Sequence, residues 1–118
     1  MKFKDLREGS LHNTRELHDE YKGSRSYGVA VVGSEHLFVK KGFSVYFIAY
    51  KDAERIFRRV RRVQAMMCCD NGELEIEYLV VMADGRELIE VQLPGQKAAR
   101  MMMEELKGTV SGVEFSAP

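Results

Sequence analysis

Between Arg55 and Arg62 the chain places five arginines in eight residues. The stretch RIFRRVRRVQAMMCC then runs on to two adjacent cysteines, Cys68 and Cys69. Guanidinium forks match the geometry of carboxylates and phosphates. Arg55, Arg58, Arg59, Arg61 and Arg62 are therefore the candidate binding residues, and their chemistry would be capture of an anion or an acidic partner. Lys40, Lys41 and Lys51 add charge if the turns that carry them lie nearby. A second reading needs no ligand and is preferred: a solvated arginine face pairs with Glu73, Glu75 and Glu77 on a neighbouring strand. There is no Gly-rich phosphate loop, and aromatics do not alternate with the basic residues as a stacking platform requires. No specific nucleic-acid recognition is expected.

The other reactive residue types do not assemble into a centre. Neighbouring residues of a strand point to opposite faces, so a Cys68–Cys69 disulfide would strain the backbone, and both are read as reduced thiols. His12, His18 and His36 are scattered, are read as surface residues, and have no second cysteine pair to complete a metal site. Nothing local activates a Cys68 or Cys69 thiol with His36 as its base. The Met101–Met103 run fits helical core packing. The glutamates fall on the wet face of a strand rather than in an apolar cleft that would raise a pKa. No catalytic residue, metal or cofactor is expected, and the chain is read as a non-enzyme.

Composition sets the frame for those residues. The 118 residues are 45% hydrophobic, the length and content of one domain with one core. Eighteen Lys and Arg balance eighteen Asp and Glu, so no net charge draws the molecule toward nucleic acid or an anionic membrane. The longest apolar runs, FSVYFIAY and YLVVMA, are far short of the roughly 20 residues of a membrane helix. No membrane span and no signal peptide are expected, and reduced thiols point to the cytoplasm.

The elements that would position the arginines are mostly strands. Val29–Val32, Leu37–Lys40 and Ser44–Tyr50 read as an antiparallel meander punctuated at Gly33-Ser34-Glu35 and Lys41-Gly42. Asn71-Gly72 and Asp84-Gly85 are two-residue hairpin turns by type. Between them ELEIEYLVVM alternates with period two. A two-residue loop at Asp84-Gly85 would pair Val80 with Ile89, Tyr78 with Val91 and Ile76 with Leu93. One at Asn71-Gly72 would pair Leu74 with Cys69, Ile76 with Met67, Tyr78 with Ala65 and Val80 with Val63. Ile76, Tyr78 and Val80 then share an inward face across three strands, with Cys69 on the core side.

Pro94 and Lys107-Gly108 bracket a helix over 95–107, with Ala99, Met102, Met103 and Leu106 on one stripe. Val113–Phe115 suits a last extended piece. Residues 1–26 are polar and read as a peripheral arm or flap, with a short helix around Arg15–Lys22. The domain proper is 27–118. The arginine run itself allows two shapes. As a strand it needs a bulge, because its apolar residues change parity between Val60 and Val63. As a helix it has an Ile56, Val60, Val63, Met67 stripe and Asp52 as N-cap. The bent strand is favoured because the Asn71 hairpin needs a partner, after a turn at Tyr50-Lys51-Asp52.

The segment YGVAVVGSEHLFVKKGFSVYFIAYKDAERIFRRV resembles the first half of small bacterial pleckstrin-homology-like (PH-like) domains. PGQKAARMMMEELKG looks like the carboxy-terminal helix of that family, and the resemblance spans about residues 27 to 115. It implies a mainly β fold, α+β by count: a bent antiparallel sheet, a partly open PH-like barrel, capped by one C-terminal helix. It also implies a binding or assembly module rather than an enzyme. The family's phosphoinositide site needs a basic loop between the first two strands. Here that loop is GSEH, acidic and short, so lipid binding is not carried over. The functional expectation is a protein-interaction or self-assembly module with a protein partner or a second copy. The alternative is a binder of an anionic ligand, an acidic lipid headgroup or nucleic acid, on the Arg55–Arg62 face.

Overall fold

The computed structural model describes residues 2–64 and 73–118. The fold is mainly β, with two sheets that do not close into a barrel and a C-terminal helix packed on the core. In chain order the elements are β1 (Lys2–Asp5), α1 (Arg15–Lys22), β2 (Arg25–Tyr27), β3 (Ala30–Val32), β4 (His36–Lys41) and β5 (Ser44–Ala49). A 3-10 turn over Tyr50–Asp52 follows, then β6 (Arg55–Gln64), β7 (Glu73–Ala83), β8 (Arg86–Gln92) and α2 (Gln96–Thr109). One sheet has the order β1-β5-β4-β3-β2 and the other β6-β7-β8.

The first sheet is buried on both faces, which explains its unbroken apolar strands. Ala30, Val32, Leu37, Val39 and Ile48 face the main core, where Leu79, Val81, Ala83 and the α2 stripe Ala99, Met102, Met103 and Leu106 meet them. The expected helical stripe is thus the one buried, and the helix runs two residues past its expected stop at Lys107. Val31, Phe38, Val45 and Phe47 project from the opposite face. Covering them is the work of the first residues. Phe3 and Leu17 are buried there, and Phe3, Tyr21 and Phe38 form mutual edge-to-face contacts with centroids 5.3–5.9 Å apart.

This corrects the reading of residues 1–26 as a peripheral arm. β1 pairs in parallel with β5, and α1, capped by Thr14 Oγ1 accepting from Leu17 N–H, seals the outer layer. A sheet whose strands are apolar on both parities needs two covers, and this segment supplies the second.

The second sheet corrects the hairpin registers. Asp84 and Gly85 both have positive φ (55° and 74°), and Ala83 pairs with Arg86, so the two-residue turn is as expected. A bulge then intervenes: Met82 pairs with Glu87 but Val81 with Ile89, leaving Leu88 as the extra residue. Every pairing beyond it slips by one, so Leu79 meets Val91 and Tyr78 meets Gln92. The core-facing set becomes Leu79, Val81 and Ala83, while Ile76 and Tyr78 are only half-buried and lie on the other parity with Val80.

On the β6 side, Phe57 pairs with Val80, Arg59 with Tyr78, Arg61 with Ile76 and Val63 with Leu74. The register of the Asn71-Gly72 two-residue loop is excluded, since Gln64 already pairs with Glu73. That turn and the orientations of Cys68 and Cys69 lie outside the described residues. The arginine run is neither helical nor bulged against β7 from Arg55 to Gln64. Its parity conflict is resolved differently. Ile56 and Phe57 are buried on opposite faces, and from Val60 onward the strand has left the core, with both faces open.

Candidate functional site

The candidate site is the outer part of β6 and its two neighbours. The last β7–β8 pair is Tyr78 with Gln92, and Leu93 N–H still donates to the Glu77 carbonyl. Beyond that point, among the described residues, β6 and β7 continue as a two-stranded ribbon. Val60, Val63 and Leu74 are exposed on it at 41%, 40% and 54%.

Each predicted arginine has a partner within the molecule. On the inner parity, Arg58 grips Glu77 through both carboxylate oxygens, Nε to Oε1 at 2.8 Å and Nη2 to Oε2 at 3.0 Å. Glu77 is only 2% exposed, so the expectation that the glutamates sit on a wet face fails there. Alternation along β7 puts Glu77 on the same inward face as Leu79 and Val81, and Arg58 supplies the countercharge a buried carboxylate requires. Arg62 lies 3.5 Å from Glu75 on the same parity. On the outer parity, Arg59 donates to Glu90 Oε2 at 2.7 Å and forks onto Glu87, and Arg61 donates to the same Glu90 oxygen at 2.8 Å. The Arg59 guanidinium lies 5.6 Å from the Phe57 ring centroid and that of Arg61 lies 5.7 Å from Tyr78. The two arginines roof the apolar patch that Phe57, Val80 and Tyr78 form outside the core. Arg55 Nη1 donates to the Ser116 carbonyl at 2.8 Å.

The hydrogen bonds from Arg59 hold the Glu87 and Glu90 carboxyls below the ordinary carboxylate range, with Arg61 adding to the effect at Glu90. Glu75 and Glu77 take the roles expected across the hairpin, while the Glu73 side chain is outside the described residues. Glu87 and Glu90 are the partners that sequence reasoning missed, because the assumed register set Glu90 opposite Leu79. Lys40, Lys41 and Lys51 are exposed; Lys40 and Lys41 end β4 and Lys51 lies in the 3-10 turn, so none belongs to this ribbon.

The backbone of β6 adds a second feature. Ile56 N–H donates to the Glu114 carbonyl and Glu114 N–H to the Glu54 carbonyl, a parallel bridge made by the C-terminal segment at Arg55. The expected extended piece at Val113–Phe115 is this segment. It shows which way β6 faces: the even-numbered residues turn their N–H and C=O away from β7. With period two, the same groups of Arg58, Val60 and Arg62 point outward. No strand pairs with them among the described residues.

A second polar cluster lies at the opposite sheet. Glu20 of α1 reaches the β3–β4 turn, where its Oε2 accepts from Glu35 N–H and His36 N–H, both at 2.8 Å. Its Oε1 lies 2.7 Å from His36 Nδ1. A Cβ on Gly33 would stand 2.3 Å from Glu20 Oε2 and 2.8 Å from the His36 carbonyl oxygen, so the turn closes on the carboxylate only with glycine there. Tyr50 braces the same turn by donating to the Gly33 carbonyl at 2.8 Å, and burial pushes its hydroxyl pKa up. His36 is therefore not a plain surface residue. Neither is His18, half-buried and edge-on to Phe3 at 6.2 Å, whereas His12 is exposed.

Glu20, Glu35 and His36 offer ligand atoms within 4.8 Å of one another. Both Glu20 oxygens are already engaged by the turn, and the 2.7 Å contact is a hydrogen-bond distance. The geometry is that of a clamp between α1 and the sheet. A cleft of about 870 Å³ adjoins it, with Asp19, Glu20, Glu104 and Glu105 on its walls and Tyr27 donating to Glu105 at 2.5 Å.

No protein-family model, curated protein or solved structure matches the chain. No helix among the described residues is long and apolar enough to cross a membrane.

Proposed function

We propose that the protein is a non-enzymatic interaction module that recruits a partner by strand addition on the β6 edge. One observation carries this reading: β6 is a ten-residue strand without a bulge whose outer edge, among the described residues, has no strand on it past Ile56, on a ribbon that exposes Val60 and Val63. Edges of this kind are ordinarily blunted. The other edges are shortened, bulged or covered, whereas β6 is guarded only by the charges of Arg58, Arg59, Arg61 and Arg62. β2 is three residues long, β8 carries the Leu88 bulge, and β1 is covered by the segment through Leu11 and His12. The resemblance of residues 27 to 115 to PH-like domains supports a binding role, although the two sheets do not close into the barrel it implies. A cytoplasmic setting fits the same reading.

The alternative, an anionic ligand on Arg55, Arg58, Arg59, Arg61 and Arg62, has less support. A phosphate would have to displace carboxylates or a carbonyl from every one of them.

Val60→Pro tests the reading. It removes an outward N–H and leaves the β7 ladder, which uses the odd-numbered residues, in place. Protein captured from lysate by the wild-type chain and lost with Val60→Pro supports the edge as the binding surface. Identical capture by both chains overturns it. Salt-sensitive binding to anionic vesicles or oligonucleotides, lost with Arg61→Glu and Arg62→Glu, would favour the alternative.

A further inference from the structure

We propose that the tip of the β4–β5 hairpin docks on an anionic lipid surface, with the Phe43 ring entering the interface and lysines meeting the headgroups. This site is separate from the β6 edge and does not rest on it. Lys41 pairs with Ser44, so Gly42 and Phe43 form a two-residue loop. Gly42 has φ 64° and Phe43 does not share the positive φ, which makes a type II′ turn. Such a turn needs glycine at its first position and is served by a small polar residue at its second. Phe43 stands there instead, wholly in water at 102% relative exposure. Neither the turn nor the core accounts for that ring. The tip also stands clear of the body, since a Cβ on Gly42 would meet no atom within 4 Å.

The charge around the ring is unmatched. Lys40 and Lys41 end β4, and Lys2 lies beside Ser44 at the start of β1. Lys2 and Lys41 share one face of the sheet and Lys40 takes the other, so lysine flanks the tip on both sides. All three are exposed, and none makes an ion pair among the described residues. This separates them from the β6 arginines, which Glu75, Glu77, Glu87 and Glu90 already engage. The three strands that meet at the tip, β1, β4 and β5, carry a single acid, Asp5. It sits at the end of β1 away from the tip, opposite Phe47, and its Oδ1 accepts from Arg7 N–H and Glu8 N–H.

These features select the occupant. Lysine is a hydrated point charge on a flexible stem, suited to diffuse headgroup charge rather than to one fixed oxyanion. A bilayer closes around a single projecting ring, and an aromatic beside basic residues is the composition of an interfacial anchor. A folded protein partner needs a contiguous apolar patch. The other exposed large apolar side chains lie elsewhere: Val60, Val63 and Leu74 on the β6–β7 ribbon, Met101 on α2 and Leu11 beside Lys4. A single-stranded nucleic acid needs successive stacking platforms along a groove, and this turn offers one ring.

The test floats the full chain and its variants with phosphatidylcholine vesicles, with or without ~30% of the anionic lipid phosphatidylserine. The wild-type chain is expected to bind the anionic vesicles at least ~10-fold more tightly than the neutral ones at about 50 mM salt, and to lose most of that binding at about 500 mM. Phe43→Ser is expected to weaken binding ~10-fold, and Lys40→Gln with Lys41→Gln to weaken it by at least ~10-fold. These side chains are exposed, so the unfolding midpoint of each variant should match that of the wild type. The chain has no tryptophan, so Phe43→Trp places one reporter at the tip. It is expected to bind like the wild type, with emission that shifts to the blue on anionic vesicles and is quenched by brominated acyl chains. Val60→Pro is expected to leave vesicle binding unchanged.

Absence of binding to anionic vesicles at low salt overturns the proposal. So does binding that survives Phe43→Ser and the paired lysine changes, or that is lost only with Arg61→Gln and Arg62→Gln, which would place the lipid on β6. Lysine-dependent binding with unshifted tryptophan emission overturns entry of the ring. Oligonucleotide binding lost with the lysine changes, without vesicle binding, overturns the lipid in favour of nucleic acid.

Discussion

The first sheet is built from short strands of three to six residues and the β6–β7 ribbon from strands of ten and eleven, and they use opposite arrangements. In the first sheet apolar residues occupy both parities, and α1 and α2 lie over opposite faces of the fold, so Phe38 and Leu37 are both fully buried although neighbours in sequence. In the ribbon charge occupies both parities. Arg58 and Arg62 point one way, Arg59 and Arg61 the other, and the apolar residues between them stay open. The contrast shows where stability and recognition are separated. The body gets its stability from burial on both faces. The ribbon is held by backbone pairing and ion pairs, and an isolated two-stranded hairpin is marginal without further support.

The contrast can be broken most severely in the body. Leu106→Ala or Met102→Ala removes a fully buried side chain between α2 and the sheets, and is expected to cost about 2–5 kcal/mol in urea unfolding. The same truncation at Val63 is expected to fall within about 0.5 kcal/mol. Equal costs at the two places would erase the distinction.

Arg58 stands at the junction, and its pair with Glu77 is asymmetric. Arg58→Ala strands a buried carboxylate and is expected to cost about 3 kcal/mol. Glu77→Gln leaves an arginine that reaches water and is expected to cost less than half as much. The reverse order would mean that Glu77 is not buried in solution.

A smaller effect concerns the β3–β4 turn. Tyr50→Phe removes a buried hydrogen bond to the Gly33 carbonyl and is expected to cost about 1–2 kcal/mol. A neutral outcome would show that Glu20 alone holds the turn.

The smallest expected effect is acid sensitivity on the ribbon's outer face. Glu87 and Glu90 have depressed carboxyl pKa values, so their contribution to stability is present above the unfolded value near about 4.3 and fades as pH falls through the lower folded values. The loss should be small, should shrink in Arg59→Gln, and should vanish in high salt. An unfolding curve in which Arg59→Gln leaves the acid limb unchanged would remove the network as its source.

Much of this contrast was legible from residues alone, and the failures have physical causes. The helical spacing of Ala99, Met102, Met103 and Leu106 was sufficient for α2, and Asp84-Gly85 for its turn. The register beyond that turn was not legible. A single extra residue at Leu88 exchanges the two faces of the β7–β8 pairing, and nothing in RELIEVQ marks which residue is left unpaired. The role of residues 1–26 could have been inferred from FSVYFIAY and AVV, since strands apolar on both parities need a second cover. At the candidate site the arginines were evident from composition. Their partners Glu87 and Glu90 were hidden behind the bulge, and the Glu20–His36 clamp joins positions 16 residues apart that only the folded sheet brings together.

The direction in which the β6 backbone faces is the claim on which recognition rests. Residue-resolved amide exchange on the dilute, unliganded chain measures it directly. The account predicts alternation, with Arg58 and Val60 exchanging rapidly while Phe57, Arg59 and Arg61, bonded to β7, are protected. Protection of Arg58 and Val60 equal to that of their odd-numbered neighbours would mean that the edge is already occupied, and would contradict the account.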